Sequence, residues 1–153
     1  MPSRMRPLLV LLCTASYAAL STEFNRSFTI EGDTFIKDGA PFRILSAEVH
    51  SSRAHPSDWA SRLAAVAALG VNSVTTYIVW SHHEPQPGIF DFDSMPLVNW
   101  LQAINSSGLL AIVRVGPYVT AEFDNGGLPY WVPTVPGIQL RTNQSLWLSF
   151  VDR

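Results

Sequence analysis

Three short stretches of this chain concentrate the groups able to do chemistry: Glu48, His50 and Arg53, then the run from Tyr77 to Glu84, then the run from Tyr118 to Gly127. Glu122 shares a loop with Gly126 and Gly127, where a carboxylate can be brought against a ligand. A loop carboxylate held by backbone N–H groups fits the same residues, and both uses stay open. Tyr77 stands near the end of an apolar run, either as a ligand contact or as a core aromatic whose hydroxyl finds a local partner. Strand alternation puts Thr75, Tyr77 and Val79 on one face, so Tyr77 points inward only if they do. His82, His83 and Glu84 are consecutive, so their side chains diverge, and the helical His-Glu-x-x-His spacing is missing; no zinc site is expected. A loop braced by Pro85 and Pro87 around a buried ion pair accounts for them. His50 and Arg53 suit a pocket wall or a structural charge pair, and Arg114 suits neutralisation of an inward carboxylate. Trp80, Trp100 and Trp131 offer stacking surfaces, but Trp100 falls on a helix face and reads as core.

The elements that must position these groups alternate. From Phe28 to Arg43 short β-type segments are separated by glycine-containing turns, and Asp38-Gly39 is a strong hairpin signal. Strands are then predicted at 43–49, 73–80 and 109–115, each a nearly unbroken apolar run suited to cover on both faces. Between them the spacing predicts a helix from Ser57 or Asp58 through Leu69, with Trp59, Leu63, Val66 and Leu69 on its inner face and Gly70 ending it. A second helix runs from near Ser94, with Leu97, Trp100, Leu101 and Ile104 inward, and stops before Gly108. This is an α/β pattern with a parallel sheet. The polar clusters follow every strand and no glycine-rich phosphate loop follows the first, which favours a (β/α)8 TIM barrel over an open doubly wound sheet. A complete barrel takes about 250 residues. The expectation is therefore a partial barrel, its first three strand-helix units, preceded by an N-terminal β-hairpin, in a fragment of a longer protein.

Composition narrows the function classes. The 153 residues carry 12 acidic and 10 basic side chains, 47% are hydrophobic and 14% charged. No basic footprint for nucleic acid is present, and the spread of apolar residues argues against disorder. Arg4 and Arg6 precede the apolar run from Leu8 to Leu12, followed by small residues to Ala19, the layout of a secretory signal peptide cut after Ala18. The expected divisions are thus residues 1–18 as signal peptide and 19–153 as the incomplete barrel. No membrane span is expected after signal removal. Cleavage would also remove Cys13, the only cysteine, and with it any disulfide or thiolate metal site within the chain. Sequons at Asn25, Asn105 and Asn143 fit a secretory route.

The segment Arg114-Val-Gly-Pro-Tyr118-Val-Thr-Ala-Glu122-Phe-Asp-Asn-Gly-Gly127-Leu-Pro-Tyr-Trp131, together with the upstream Thr76-Tyr77-Ile-Val-Trp80-Ser-His-His83-Glu84-Pro85-Gln-Pro-Gly88, closely resembles glycoside hydrolase family 35, the retaining β-galactosidases. The likeness runs from about Phe28 to Thr142 and takes in Asp38-Gly39, Ser-Ala-Glu-Val-His50, Arg53, Trp59, Gly70-Val-Asn-Ser-Val74 and Leu140-Arg141-Thr142. It implies hydrolysis of terminal β-linked galactose with retention and without metal or other cofactor, on a β-galactoside or oligosaccharide substrate. By the same resemblance Tyr77, Thr120, Ala121 and Glu122 match the wall around the terminal galactose, where Glu122 binds sugar hydroxyls and does not cleave the bond. A carboxylate suits that task because it accepts from two adjacent hydroxyls.

Four positions depart from the family pattern: Thr120 for a cysteine, Phe123 for tryptophan, Ser81 for asparagine and Ser51 for an aromatic. The largest departure is an absence. Retaining glycosidases use two carboxyl groups about 5–5.5 Å apart. In the family the acid/base is a Glu directly after an Asn beyond the fourth strand, and the nucleophile is a Glu beyond the seventh. This chain has no Asn-Glu dipeptide. Both catalytic carboxylates are expected beyond Arg153, in the missing C-terminal part of the barrel, and Glu84 with Glu122 is a poor substitute pair. The expected signal peptide permits lysosome, vacuole, cell wall or medium alike. The rival readings are a non-catalytic secreted sugar-binding fragment and a family member acting on another sugar.

Overall fold

The structure, a computed structural model, describes residues 26–120 and 122–152. The expected signal peptide, the Asn25 sequon and Ala121 lie outside the described residues. Two compact units are delimited, one ending at Phe42 and the other starting at Arg43.

The first unit is a three-stranded antiparallel sheet, β1 (Phe28–Glu31), β2 (Thr34–Lys37) and β3 (Ala40–Phe42), in that order. It extends the expected hairpin by one strand, because Gly32 turns β1 into β2 before Asp38-Gly39 turns β2 into β3. Asp38 and Gly39 both take positive φ, 52° and 80°, the backbone of a two-residue turn whose twist matches its strands. The Asp38 carboxylate also contacts Lys37 and accepts from the Ser27 amide at 3.0 Å. Phe28 gathers Phe35 and Phe42 on one face, with ring centroids at 5.5 and 6.2 Å.

The second unit is mixed α/β. Its sheet orders β4 (Ser46–Glu48), β5 (Ser73–Tyr77) and β6 (Leu110–Arg114), all parallel. Helix α1 (Trp59–Ala68) follows β4; α2 (Trp80–His83) and α3 (Leu97–Ser106) follow β5; α4 (Ser145–Val151) comes after the long segment beyond β6. The side-chain period of two assigns each face. Val74 and Thr76 of β5 are buried against α1 and α3, in a core of Trp59, Leu63, Trp100, Ile104 and Leu109. There the Trp100 indole donates to Thr76 Oγ1 at 3.1 Å and meets Trp59 edge-on at 5.1 Å. The opposite face carries Ser46, Glu48, Thr75, Tyr77 and Arg114, with Ser46 Oγ and Thr75 Oγ1 bonded across the strands at 2.9 Å. A second core joins Leu128, Trp131, Val132 and Trp147 to Trp80 and Phe150.

Several sequence expectations are corrected. The strand expected over 43–49 is reduced to Ser46–Glu48, because Asn72 takes the backbone before it: its Nδ2 donates to the Arg43 carbonyl at 2.7 Å and its Oδ1 accepts from the Leu45 amide at 3.0 Å. The strand expected to reach Trp80 stops at Tyr77, and Trp80 opens α2. Leu69, expected on the inner face of α1, is 79% exposed. The helix ends at Ala68, and Gly70, at φ 84°, turns the chain away. Cover on both faces fails at β6, whose Val113 is exposed and is followed by Val115 at 68%.

Candidate functional site

The polar ends of the three parallel strands share one edge of the sheet. Tyr77 and Arg114 are partners in the β5–β6 register, and Glu48 pairs with Thr75 one side-chain step earlier. His50, just after β4, closes the group. Its imidazole stacks on the Tyr77 ring at 4.3 Å and 18°, and its Nδ1 accepts from the Tyr77 backbone amide at 3.4 Å. From the other strand the Arg114 guanidinium lies 4.5 Å over the same ring and donates from Nη1 to Tyr77 Oη at 2.7 Å. Arg114 Nη2 reaches the Val119 carbonyl at 3.4 Å. One guanidinium thus ties the β5 tyrosine to the loop beyond β6.

Burial depresses the His50 pKa below its ordinary value of 6.5, outweighing the nearby Glu48 charge, which acts the other way, as does Glu122. A neutral ring that accepts at Nδ1 carries its proton on Nε2, which stands 3.8 Å from Glu48 Oε1.

The loop after β6 is held by its own glycines. Val119 N–H donates to the Gly126 carbonyl and Gly126 N–H to the Phe123 carbonyl, both at 2.8 Å, so residues 119 to 126 close on themselves. Gly126 has φ 67°, and a Cβ there would sit 1.8 Å from Tyr118 Cε2. No other residue fits that crossing of ring and backbone. On this loop Thr120 is half-buried and Glu122 is exposed. Phe123 meets both the Arg53 guanidinium and, edge-on, the His82 ring, each at 5.7 Å. All three strand-end loops therefore touch at Phe123.

Of the residues singled out from sequence, Tyr77 is joined to His50 and Arg114, while Thr120 and Glu122 share the neighbouring loop. Arg114 is the group that sequence reasoning misplaced. It was expected on a carboxylate and lies on a phenol, an arrangement that the strand-end alignment of Tyr77 with Arg114 could have signalled.

His82, His83 and Glu84 do diverge. His82 faces Phe123; His83 stacks on Phe92 at 5.0 Å and bonds through Nδ1 to the Asp91 carbonyl at 3.1 Å. Glu84, 1% exposed, accepts from the Trp80 indole at 2.6 Å and from the Gly88 amide at 2.7 Å. The Trp131 indole donates to the Glu84 backbone carbonyl at 3.1 Å. These bonds make Glu84 an anchor inside the fold. Trp100 and Trp131 are buried, which removes both as stacking platforms for a ligand. Among the described residues no cluster of three or more His, Cys, Asp or Glu side chains could hold a metal ion, and no helix is long and apolar enough to cross a membrane.

A family model described as "Glycosyl hydrolases family 35" matches residues 34–153. Curated relatives include beta-galactosidase 8 of Oryza sativa subsp. japonica, 43% identical over 96% of this chain, and beta-galactosidase-1-like protein of Mus musculus, 40% identical over 99% of it. The beta-galactosidase of Homo sapiens is 39% identical over 95% of the chain. The chain spans only 22–23% of the length of these relatives. With the family model covering most of its sequence, from the second strand of the leading sheet onward, the chain belongs to glycosyl hydrolases family 35.

Proposed function

We propose that this chain forms the N-terminal part of the catalytic (β/α)8 barrel of a secreted β-galactosidase and supplies one wall of its galactose pocket. Residues 1–18 serve as a signal peptide, and 19–153 provide the leading sheet and the first three strand-helix units of the barrel. The observation that carries this reading is the joining of Tyr77, His50 and Arg114 beside the Glu122 loop, at the strand ends where a barrel builds its site. The β-galactosidase names of the relatives support the choice of sugar.

In this pocket Tyr77, Thr120, Ala121 and Glu122 bind the terminal galactose, and the Glu122 carboxylate accepts from two neighbouring hydroxyls. Bond cleavage falls to two carboxyl groups outside residues 1–153, an acid/base and a nucleophile acting with retention. The protein travels the secretory pathway to the exterior, the cell wall, a lysosome or a vacuole.

The test is the full-length protein with Glu122→Gln, assayed on a chromogenic β-galactoside. Galactose should inhibit the variant at least tenfold more weakly than the parent, since a hydrogen bond to a charged group contributes about 1.5–3 kcal/mol. Unchanged galactose affinity would remove Glu122 from the pocket. Release of galactose by residues 19–153 alone would overturn the division of labour. Thr120 and Phe123 alter the wall, so a panel with β-glucosaminides and arabinosides decides whether another sugar is preferred.

A further inference from the structure

We infer that Arg114 and His50 are positioning residues for Tyr77, and that Arg114 makes the Tyr77 hydroxyl a committed donor toward one acceptor oxygen of the sugar. The inference rests on the galactoside reading above and deepens it. Tyr77 is held by two neighbours from the segments flanking β5, the His50 imidazole at 4.3 Å and the Arg114 guanidinium at 4.5 Å. The grip leaves the ring little freedom to tilt.

The hydroxyl is then polarised in one sense. A guanidinium can only donate, so in the 2.7 Å bond Tyr77 Oη is the acceptor. A phenol has one O–H, and among the described residues no protein group accepts it. That proton remains for a ligand, and it needs a lone pair. A sugar hydroxyl or ring oxygen offers one; a protonated amine does not. The Arg114–Tyr77 pair thus selects an oxygen at the contacted position and disfavours an ammonium there. Arg114 contributes through Tyr77, without touching the sugar.

The test is a double-mutant cycle in the full-length protein, with methyl β-D-galactoside as the probe. Y77F and R114M should each weaken binding about tenfold, the scale of one hydrogen bond. The double variant should be no weaker than Y77F alone, because Arg114 has nothing left to orient. R114K, which keeps the charge but loses the planar fork, should recover only part of the loss. A panel of monodeoxy galactosides should contain one whose missing hydroxyl weakens the parent as Y77F does and leaves Y77F indifferent. Losses that multiply to about a hundredfold in the double variant would overturn the inference.

A sugar-free crystal structure of the R114M protein gives a second readout. The Tyr77 ring should leave its stack on His50 while the β5 backbone stays in place. A ring that stays put would reject the clamp. If the parent binds no galactoside, the functional reading fails, and this structure still decides the clamp.

Discussion

The parallel register that pairs Tyr77 with Arg114 also sets the Arg114 guanidinium 4.5 Å above the Tyr77 ring, so strand alignment and side-chain chemistry are one constraint. A slip of β6 by one residue would turn Arg114 to the opposite face, toward the helices, and leave Tyr77 without its partner.

Gly126→Ala should be among the most damaging single changes in the site. The added methyl would lie 1.8 Å from the Tyr118 ring and would demand φ 67° of an alanine. Thermal denaturation should show a loss of about 1–3 kcal/mol or more, the range of strained backbone positions. A melting temperature equal to the parent's would contradict the crossing of ring and backbone.

Trp100→Phe should destabilise through a lost bond and the packing of a smaller ring. The indole N–H that reaches Thr76 Oγ1 would vanish, leaving a fully buried hydroxyl without that donor. The expected cost is about 1–3 kcal/mol, with part recovered when Thr76→Val is added. Urea midpoints of the single and double variants check the sign of that recovery.

Glu84→Gln removes a charged acceptor that serves both the Trp80 indole and the Gly88 amide. An amide presents one acceptor and one donor, so one of these two donors would face another N–H. A loss of about 1.5–3 kcal/mol is expected in thermal scans. Asp91→Asn tests the neighbouring turn, where Asp91 accepts from the Asp93 and Ser94 amides and the Ser94 hydroxyl.

Acid should weaken the fold in two windows. His50 and His82 both have pKa values depressed by burial below 6.5. The unfolded chain therefore binds protons first, and the stability these groups contribute is full above 6.5 and is lost as pH falls from there toward their folded values. Asp91 is held below 3.8, chiefly by the Ser94 hydroxyl, and Asp38 chiefly by its bond to Lys37. Their contribution is present above 3.8 and is lost only as pH falls below it. Melting temperatures across pH should show both steps, and His50→Gln should shrink the first alone.

Much of this was legible in the sequence where local signals agreed. Trp59, Leu63, Trp100 and Ile104 repeat at helical spacing, Gly70 and Gly108 take positive φ at the helix ends, and the three strand centres stand where apolar runs placed them. What escaped depended on partners distant in sequence. Tyr77-Ile-Val-Trp80 reads as one strand because a short apolar run has no period of its own, yet the chain turns into α2 and the Trp80 indole reaches Glu84. Arg114 looked like a counter-charge because sequence shows charge and does not show a cross-strand neighbour. The trimming of β4 followed from the side chain of Asn72, which no local pattern around β4 announces.

Asn72 has a consequence for the order in which the protein assembles. The backbone leading into β4 is tied by a side chain 27 residues downstream at Leu45 and 29 downstream at Arg43. During synthesis from the N-terminus, these residues leave the ribosome with no partner until α1 and then Asn72 have emerged. The first strand of the parallel sheet therefore waits for the second to fasten it, and refolding of Asn72→Ala followed by stopped-flow should be slower than the parent's, whereas an equal refolding rate would confine Asn72 to the finished fold.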